Sequence, residues 1–250
     1  MFPILFTIGG FKVYASVFFL VLALLVGLVV GGRESRRLGV PNREFLLFAV
    51  SVVPIVLGLA VLNGLVFEIT LWNILPDYEY SGSGGLVSFG AVLGALAWGA
   101  VLTRVFKQPI TERLDLIAVI LPLILGIYRI GCFLNGCCFG KEIQGLLAVY
   151  IFGQNGDGVH RYPTQIMLML MNLAVFAWLW QRRMKKSFHG ELTLSFLVLY
   201  SLGRLIIDAF RALPNMLGPL SLHQLSALAI FMITIGFFIH LRRTELLQEN

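Results

Sequence analysis

Charged residues are scarce in this sequence, and no stretch of it is long and polar enough to form a soluble domain. Asp, Glu, Lys and Arg make up 13% of its 250 residues, against about 25% in ordinary globular proteins. Hydrophobic residues make up 58%, and the mean hydropathy is +0.87. Such a surplus of apolar side chains must face a solvent other than water, and a lipid bilayer is that solvent. The composition predicts a single polytopic membrane domain over residues 1–250.

Cysteine is equally scarce, with Cys132, Cys137 and Cys138 as the only three. An odd number with two adjacent members is typical neither of a disulfide framework nor of the paired spacing of a zinc site. We interpret these cysteines as small apolar residues that fill space, and we predict no metal and no cofactor. A basic region and a small-residue cleavage site are missing before the first apolar segment. That segment is therefore expected to be a retained span and not a signal peptide.

Seven apolar segments follow one another along the chain, and all but the fourth are close to the length of about 20 residues that a helix needs to cross a bilayer. They are Val13–Val30, Phe45–Phe67, Leu86–Val105, Leu116–Tyr128, Pro163–Trp180, Leu192–Phe210 and Leu222–Leu241. The fourth reaches this length only if it continues into the polar stretch 128–140. No segment alternates polar and apolar residues with period two. We therefore predict an all-α integral membrane protein with about seven transmembrane helices.

The basic residues predict the orientation of these helices. Every second connection is basic, beginning with Arg33, Arg36 and Arg37 after the first span, whereas the connection after the second span carries Glu68, Asp77 and Glu79. Because basic loops stay in the cytoplasm, the N-terminus should lie outside and the C-terminus inside. The excess of 19 Lys and Arg over 13 Asp and Glu is then explained by the basic loops. We therefore do not expect this positive charge to bind nucleic acid.

Charged residues near the membrane are costly and indicate function, and the first such cluster is the stretch YRIGCFLNGCCFG at 128–140. Arg129 directly follows an apolar run, and Asn135 stands among glycines and cysteines. A guanidinium keeps its charge and presents a planar fork that suits phosphate. The alternative is an arginine that snorkels to the outer headgroups.

The second cluster is GRLIIDAFR at 203–211, in which Arg204, Asp208 and Arg211 have the spacing of one helix face. One carboxylate between two arginines would orient both and leave positive charge for an anion. The alternative is a structural ladder that joins helices.

The third cluster, HRYPTQ at 160–165, supplies His160 and Gln165, and the start of the third span adds Gly84, Gly85 and Ser88. Taken alone, His160 is more typical of a solvated loop histidine than of a catalytic base. All three clusters lie toward the predicted outer side. Cationic groups at one level of a helical bundle suit a substrate that is both apolar and anionic, such as a phospholipid.

These stretches resemble the bacterial prolipoprotein diacylglyceryl transferases over nearly the whole chain. The resemblance rests on FTIGGF near the N-terminus, GGLVSFGAVLGA at 84–95, RIGCFLNGCCFG at 129–140, YPTQ at 162–165, LYSLGRLIIDAFR at 199–211 and LSLHQLSAL at 220–228. It implies a transferase of the bacterial inner membrane that moves a diacylglyceryl group from phosphatidylglycerol to the lipobox cysteine of a prelipoprotein. Its partners would be phosphatidylglycerol, other membrane lipids and the prelipoprotein signal peptide.

The same resemblance implies residue roles. Arg129 and Asn135 match the family's signature arginine and asparagine, Arg204 matches the arginine of the sixth span, and Asp208 stands where the family usually has glutamate. Arg129, Asn135 and Arg204 are thus the expected catalytic residues. The expected substrate-binding residues are Arg211, Asp208, Gln165, Gly84, Gly85, Ser88 and His160.

Two departures from the family pattern leave alternatives open. Phe89 stands where the family usually has Tyr or His, and Leu168 falls in a run that usually carries a carboxylate. A divergent paralogue with another acceptor, or a non-catalytic protein that binds membrane phospholipid, would have such replacements as well.

Overall fold

The computed structural model describes residues 2–74, 84–107, 109–152, 158–212, 215–217 and 220–248. Within these ranges seven α-helices coincide with the seven predicted apolar segments. They are α1 (Ala15–Arg37), α2 (Asn42–Ile74), α3 (Gly84–Val105), α4 (Ile110–Asn135), α5 (Thr164–Arg182), α6 (Glu191–Asp208) and α7 (Leu222–Gln248). The fourth helix does continue past Tyr128 into the polar stretch, as its length required, and it ends where Gly136 takes up a left-handed conformation with φ 70°.

Three short β-hairpins are also present, so the prediction of a purely α-helical chain was incomplete. They pair β1 (Ile4–Ile8) with β2 (Phe11–Tyr14), β3 (Val149–Phe152) with β4 (Gly158–Arg161), and β5 (Asn215–Leu217) with β6 (Leu220–Ser221), all antiparallel. In the first hairpin, Gly9 and Gly10 form the two-residue turn, and both have the positive φ that such turns require. Strands of two to five residues are too short to produce a period-two pattern in the sequence.

The hairpins mark one end of the bundle. Each directly precedes an odd-numbered helix, namely α1, α5 or α7, and the even-numbered helices α4 and α6 end at the same level, which we call the hairpin end. At the opposite end, buried carboxylates pair with basic side chains, and we call it the ion-pair end. There Glu34 at the end of α1 pairs with Arg183, and Asp115 near the start of α4 pairs with Lys186.

Helix α4 lies at the centre of the bundle and contacts α1, α3, α5 and α6. Of its most apolar 18-residue window, 61% is buried, against 22% for the corresponding windows of α1 and α7. The main core joins α4 to α3, α5, α6 and α7 through side chains such as Val92, Val119, Leu179, Phe196 and Ala227. The central position of α4 matters for the site, because this helix carries Arg129.

Four helices in the described part of the chain are both long and apolar enough to cross a membrane. These are α1, α4, α5 and the portion Leu222–Thr244 of α7. Large apolar side chains such as Val17, Val50 and Phe237 are more than half exposed, which suits helices that face lipid. The protein is therefore an integral membrane protein, whereas the crossing of the membrane by all seven helices stays a prediction.

Candidate anion-binding site at the hairpin end

Arg129 lies in the penultimate turn of α4 and is only 5% exposed. Its neighbours include Tyr200 of α6, with which it interacts electrostatically. Its Nε atom is buried and makes no hydrogen bond to any group that the structure describes. Gly131, two residues after Arg129, lies so close to α1 that an added Cβ would be 3.0 Å from the backbone oxygen of Ala15. The close approach of α1 and α4 encloses Arg129 within the bundle and separates it from the lipid.

The loop that follows α4 is fixed by the first turn of α5. The amide of Gln165 donates a hydrogen bond to the backbone oxygen of Cys137 at 2.7 Å, and the hydroxyl of Thr164 donates to the oxygen of Cys138 at 2.8 Å. Thr164 and Gln165 are both fully buried. Gln165, predicted to bind substrate, thus has its amide nitrogen engaged in supporting the loop. Cys138 itself adopts a positive φ of 60°, which is uncommon for a residue other than glycine.

The same loop also forms backbone hydrogen bonds to the segment before α5 and to the segment after α6. The N–H of Gly140 donates to the oxygen of Tyr162, before α5, at 3.0 Å. The N–H of Lys141 donates to the oxygen of Phe210, after α6, at 2.8 Å. A Cβ at Gly140 would lie 2.6 Å from Cβ of Tyr162 and 2.8 Å from the oxygen of Phe210, so that only glycine fits. Gly140 also forms a β-bridge with Arg211. The loop therefore links the ends of α4 and α6 and the start of α5.

Arg204, Asp208 and Arg211 form a buried group, although they do not share one helix as predicted. Helix α6 ends at Asp208, and Arg211 follows a tight turn in which its N–H donates to the oxygen of Asp208. The turn places Arg211 opposite Gly140, with which it forms an antiparallel β-bridge. The carboxylate of Asp208 nevertheless lies 3.0 Å from Nη2 of Arg204 and 3.4 Å from Nη1 of Arg211. One carboxylate thus contacts both guanidinium groups, as the sequence predicted.

Arg129 joins this group across the bundle. Arg211 interacts electrostatically with Arg204, Cys138 and Arg129, and Arg129 interacts with Cys138 as well. Burial, followed by the neighbouring charge of Arg204, lowers the pKa of Arg211. An arginine nevertheless remains protonated at physiological pH. We call Arg129, Arg204, Asp208 and Arg211 the arginine cluster.

The arginine cluster combines three guanidinium groups with the carboxylate of Asp208, which contacts Arg204 and Arg211. The exposure of the four residues is between 0 and 5%. Buried charge is costly, because the interior of a bundle solvates ions poorly. An anion that approaches from the hairpin end would interact favourably with the guanidinium groups. The arrangement is suited to a phosphate, whose oxygens match the fork of a guanidinium.

Two other predicted residues lie outside the cluster. Asn135 is the half-buried last residue of α4. Six residues of helix place its side chain about 120° around the axis from Arg129. His160 is exposed on β4, where its ring packs edge-on against Tyr150 at 5.3 Å between centroids. The structure does not bring His160 to the arginines.

The start of α3 is described by its backbone alone. Gly84, Gly85 and Ser88 form the first turns of this helix, and the side chains at 84–89, including that of Phe89, lie outside the described part. Leu168 is described and is fully buried in α5, one turn after Gln165. An apolar side chain thus occupies this position of α5.

The sequence did not predict that Tyr200 interacts with Arg129 or that Thr164 holds the loop at Cys138. Tyr200 precedes Arg204 by four residues and therefore lies on the same face of α6, which is a signal that the sequence contained. Thr164 lies within the YPTQ stretch, but its bond to Cys138 depends on a loop 26 residues earlier. No local pattern predicts a contact of that separation.

An apolar cleft lies between α1, α2, α3 and α4 and has a volume of about 110 Å³. Its lining includes Leu24, Leu28, Phe48, Val52 and Ile124. Ile124 precedes Arg129 by five residues, which corresponds to about 7.5 Å along α4. A hydrocarbon-lined cleft thus begins within one and a half helical turns of the arginine cluster.

Comparison with known proteins identifies the family. The model of the prolipoprotein diacylglyceryl transferase family matches residues 3–240. The chain belongs to this family. The matched range contains the whole arginine cluster, the loop after α4 and the first turn of α5, so the site is formed by the part of the chain that defines the family.

Individual members of the diacylglyceryl transferase family match over nearly their full lengths. The chain is 28% identical to the phosphatidylglycerol–prolipoprotein diacylglyceryl transferase of Clostridium tetani, over 95% of this chain and 96% of that protein. It is 30% identical to the enzyme of the same name from Bacillus cytotoxicus, over 95% of this chain and 91% of the relative. The enzyme of that name from Clostridioides difficile is 26% identical over 89% of this chain. The resemblance seen in the motifs is confirmed.

Proposed function

We propose that the protein transfers a diacylglyceryl group from phosphatidylglycerol to the thiol of a lipobox cysteine in the signal peptide of a prelipoprotein. The observation that carries the proposal is the buried arginine cluster, in which three cations and one carboxylate lie together at the hairpin end. Family membership supplies the reaction class, and the relatives named above carry this activity in their names.

The reaction replaces a carbon–oxygen bond by a carbon–sulfur bond. The cysteine sulfur attacks the glycerol carbon that bears the phosphate, the bond between that carbon and the phosphate oxygen breaks, and glycerol phosphate leaves with the bonding electrons. The thiol loses its proton as the thioether forms, and in the overall balance this proton ends on the released glycerol phosphate. Negative charge therefore grows on the leaving phosphate, and groups that bind this charge in the transition state accelerate the reaction.

Arg129 and Arg204 are the residues that we assign to the phosphate, with Arg211 as a third contact. Asp208 orients Arg204 and Arg211, and Gln165 supports the loop beside them. Asn135, Gly84, Gly85 and Ser88 keep their assigned roles as predictions from the motifs. The acyl chains would lie in the apolar cleft below Arg129, where the lining is hydrocarbon.

The proposal includes a location in the bacterial inner membrane, with seven crossings, the N-terminus outside and the C-terminus in the cytoplasm. The hairpin end would then face outward, where a secreted precursor emerges. The ion-pair end would face the cytoplasm, in agreement with the basic residues that are concentrated there.

The test uses the full-length protein in vesicles of phosphatidylglycerol with a synthetic lipobox peptide. We expect a thioether-linked diacylglyceryl peptide by mass spectrometry and one glycerol phosphate released for each peptide modified. Arg129→Ala should abolish the product, whereas Arg243→Ala, an exposed position on α7, should retain it. Vesicles of phosphatidylcholine should give no product. An unmodified peptide in every phosphatidylglycerol reaction of the wild-type protein would contradict the proposal.

A further inference from the structure

Asp115 is a buried carboxylate that the proposed chemistry does not use. It lies near the start of α4, at the ion-pair end, and is 2% exposed. Its Oδ1 accepts hydrogen bonds from the backbone N–H of Thr193 at 3.0 Å and from the Thr193 hydroxyl at 2.9 Å. Its Oδ2 accepts a bond from the N–H of Gly190 at 3.1 Å and lies 3.3 Å from Nζ of Lys186. One side chain of α4 thus holds the first turn of α6.

Asp115 supplies the cap that α6 lacks in its own sequence. The residue at the N-cap position is Gly190, with φ 92°, and it has no side chain to accept a bond from the first turn. The N–H groups of a first helical turn have no partner within the helix, and a carboxylate beside them is also favoured by the helix dipole. The carboxylate reaches this turn from a residue 75 to 78 positions earlier. The cap therefore fixes where α6 begins relative to α4.

The cap lies far from the arginine cluster but at equal distances from two of its members. Asp115 precedes Arg129 by 14 residues, and Gly190 precedes Arg204 by 14 residues. Both helices run from the ion-pair end to the hairpin end, so that at 1.5 Å per residue each arginine lies about 21 Å from the cap. Tyr200 on α6 interacts electrostatically with Arg129, so the two helices are still neighbours toward the hairpin end. The cap therefore fixes the axial positions of Arg129 and Arg204 relative to each other.

We infer that Asp115 is a positioning residue for the transfer reaction, which holds Arg204 level with Arg129 by fixing the axial register of α6 against α4. A slip of one residue would move Arg204 by about 1.5 Å along the axis and turn it by about 100°. A misplacement of about 1 Å can lower a rate about 10²-fold. The kinetic consequence rests on the proposed function, whereas the register itself does not.

The first experiment separates positioning from general stability. Asp115→Asn keeps the volume but offers one acceptor oxygen in place of two, and Asp115→Ala removes both. Glu34→Gln is the matched control, because Glu34 is an equally buried carboxylate at the same end that pairs with Arg37 and Arg183 and makes no contact to α6 among the contacts described. We expect Asp115→Ala to lower kcat about 10- to 100-fold with little change in KM for the peptide. Asp115→Asn should lie between Asp115→Ala and wild type, and Glu34→Gln should change kcat less than about twofold.

A double-mutant cycle then tests whether Asp115 acts through Arg204. In the Arg204→Lys background, the planar guanidinium group is already absent. Adding Asp115→Asn to this variant should therefore lower kcat by less than about twofold. A full additional loss in that background would overturn the inference. So would a wild-type kcat in Asp115→Asn, or the same loss of kcat in Glu34→Gln.

A distance measurement tests the register without any catalytic assay. Nitroxide labels at Val17→Cys on α1 and Ile206→Cys on α6 occupy positions that are each 54% exposed, in a background with the three native cysteines replaced by alanine. Asp115→Asn should shift or broaden the distance by about 1.5 Å or more, and Glu34→Gln should not. An unchanged distance in Asp115→Asn would overturn the inference even in an active enzyme. If the wild-type protein transfers no lipid, the proposed function fails, and this distance still decides the role of Asp115.

Discussion

Asp208 holds Arg204 through one carboxylate oxygen, since Oδ2 of Asp208 lies 3.1 Å from Nε and 3.0 Å from Nη2 of Arg204. Both side chains are fully buried. The contact fixes one edge of the guanidinium plane, and the second oxygen, Oδ1, remains for Arg211 at 3.4 Å. An arginine held along one edge keeps the orientation of its fork, and this orientation distinguishes it from a lysine at the same place.

We therefore predict that Arg204→Lys will impair turnover far more than lipid binding. Lysine keeps the charge but lacks the planar fork, and the charge on the leaving phosphate is fully developed only in the transition state. Loss of one such donor typically lowers the rate about 10²- to 10³-fold. Thioether formation measured against phosphatidylglycerol concentration separates kcat from KM. Arg243→Lys, at an exposed site on α7, serves as the control, and equal activity of the two variants would refute the assigned role.

Asp208→Asn should destabilise the protein strongly. The change leaves Arg204 and Arg211 buried without their shared counter-charge, and breaking a buried pair in this way costs about 3–5 kcal/mol. The free energy of unfolding in detergent micelles measures the effect. Glu142→Gln is the comparison, because Glu142 pairs with Arg161 at the same end but is 63% exposed, and exposed pairs contribute about 0–1 kcal/mol. Equal stability of the two variants would show that Asp208 does not balance the arginines.

Gly140→Ala should disrupt the loop that links α4, α5 and α6. The added Cβ would overlap Tyr162 and the backbone oxygen of Phe210, and such overpacking costs about 1–3 kcal/mol. We expect lower thermal stability together with lower transfer activity, because Arg211 bridges to the same residue. Gly58→Ala is the matched control, since Gly58 is an exposed position in α2 and no atom of the described residues lies within 4 Å of the added Cβ. A fully active and stable Gly140→Ala variant would contradict the contact.

The predicted orientation can be tested by labelling in intact cells. His160 on β4 and Arg36 at the end of α1 are both exposed and lie at opposite ends of the bundle. In a background without the native cysteines, His160→Cys should react with a membrane-impermeant maleimide, and Arg36→Cys should react only after permeabilisation. Glu34 is unsuitable as a reporter, because it is buried in an ion pair and would be protected on either side. The opposite pattern of labelling would reverse the assigned topology.

The fourth helix shows which part of a helix a hydropathy pattern predicts and which part it omits. The apolar run Leu116–Tyr128 predicts the middle of α4, but the helix begins at Ile110 and ends at Asn135. Its polar members Asp115 and Arg129 are buried by contacts with α6, and a hydropathy sum cannot distinguish a buried polar residue from one in a loop. The positions at which α4 begins and ends therefore became known only from the tertiary structure.

The sequence by itself determined the membrane class, the seven helices and the Arg204–Asp208 pair. Each of these depends on composition or on residues within four positions of one another, where helix geometry alone sets the contact. Only the tertiary structure decided that Arg129 interacts electrostatically with Arg211, that Gly140 admits no side chain, and that Asp115 caps α6. These contacts join segments that are far apart in the chain, and they form only when the helices pack. Packing also decided that His160 remains exposed, because a hairpin that the sequence pattern did not predict directs it away from the arginines.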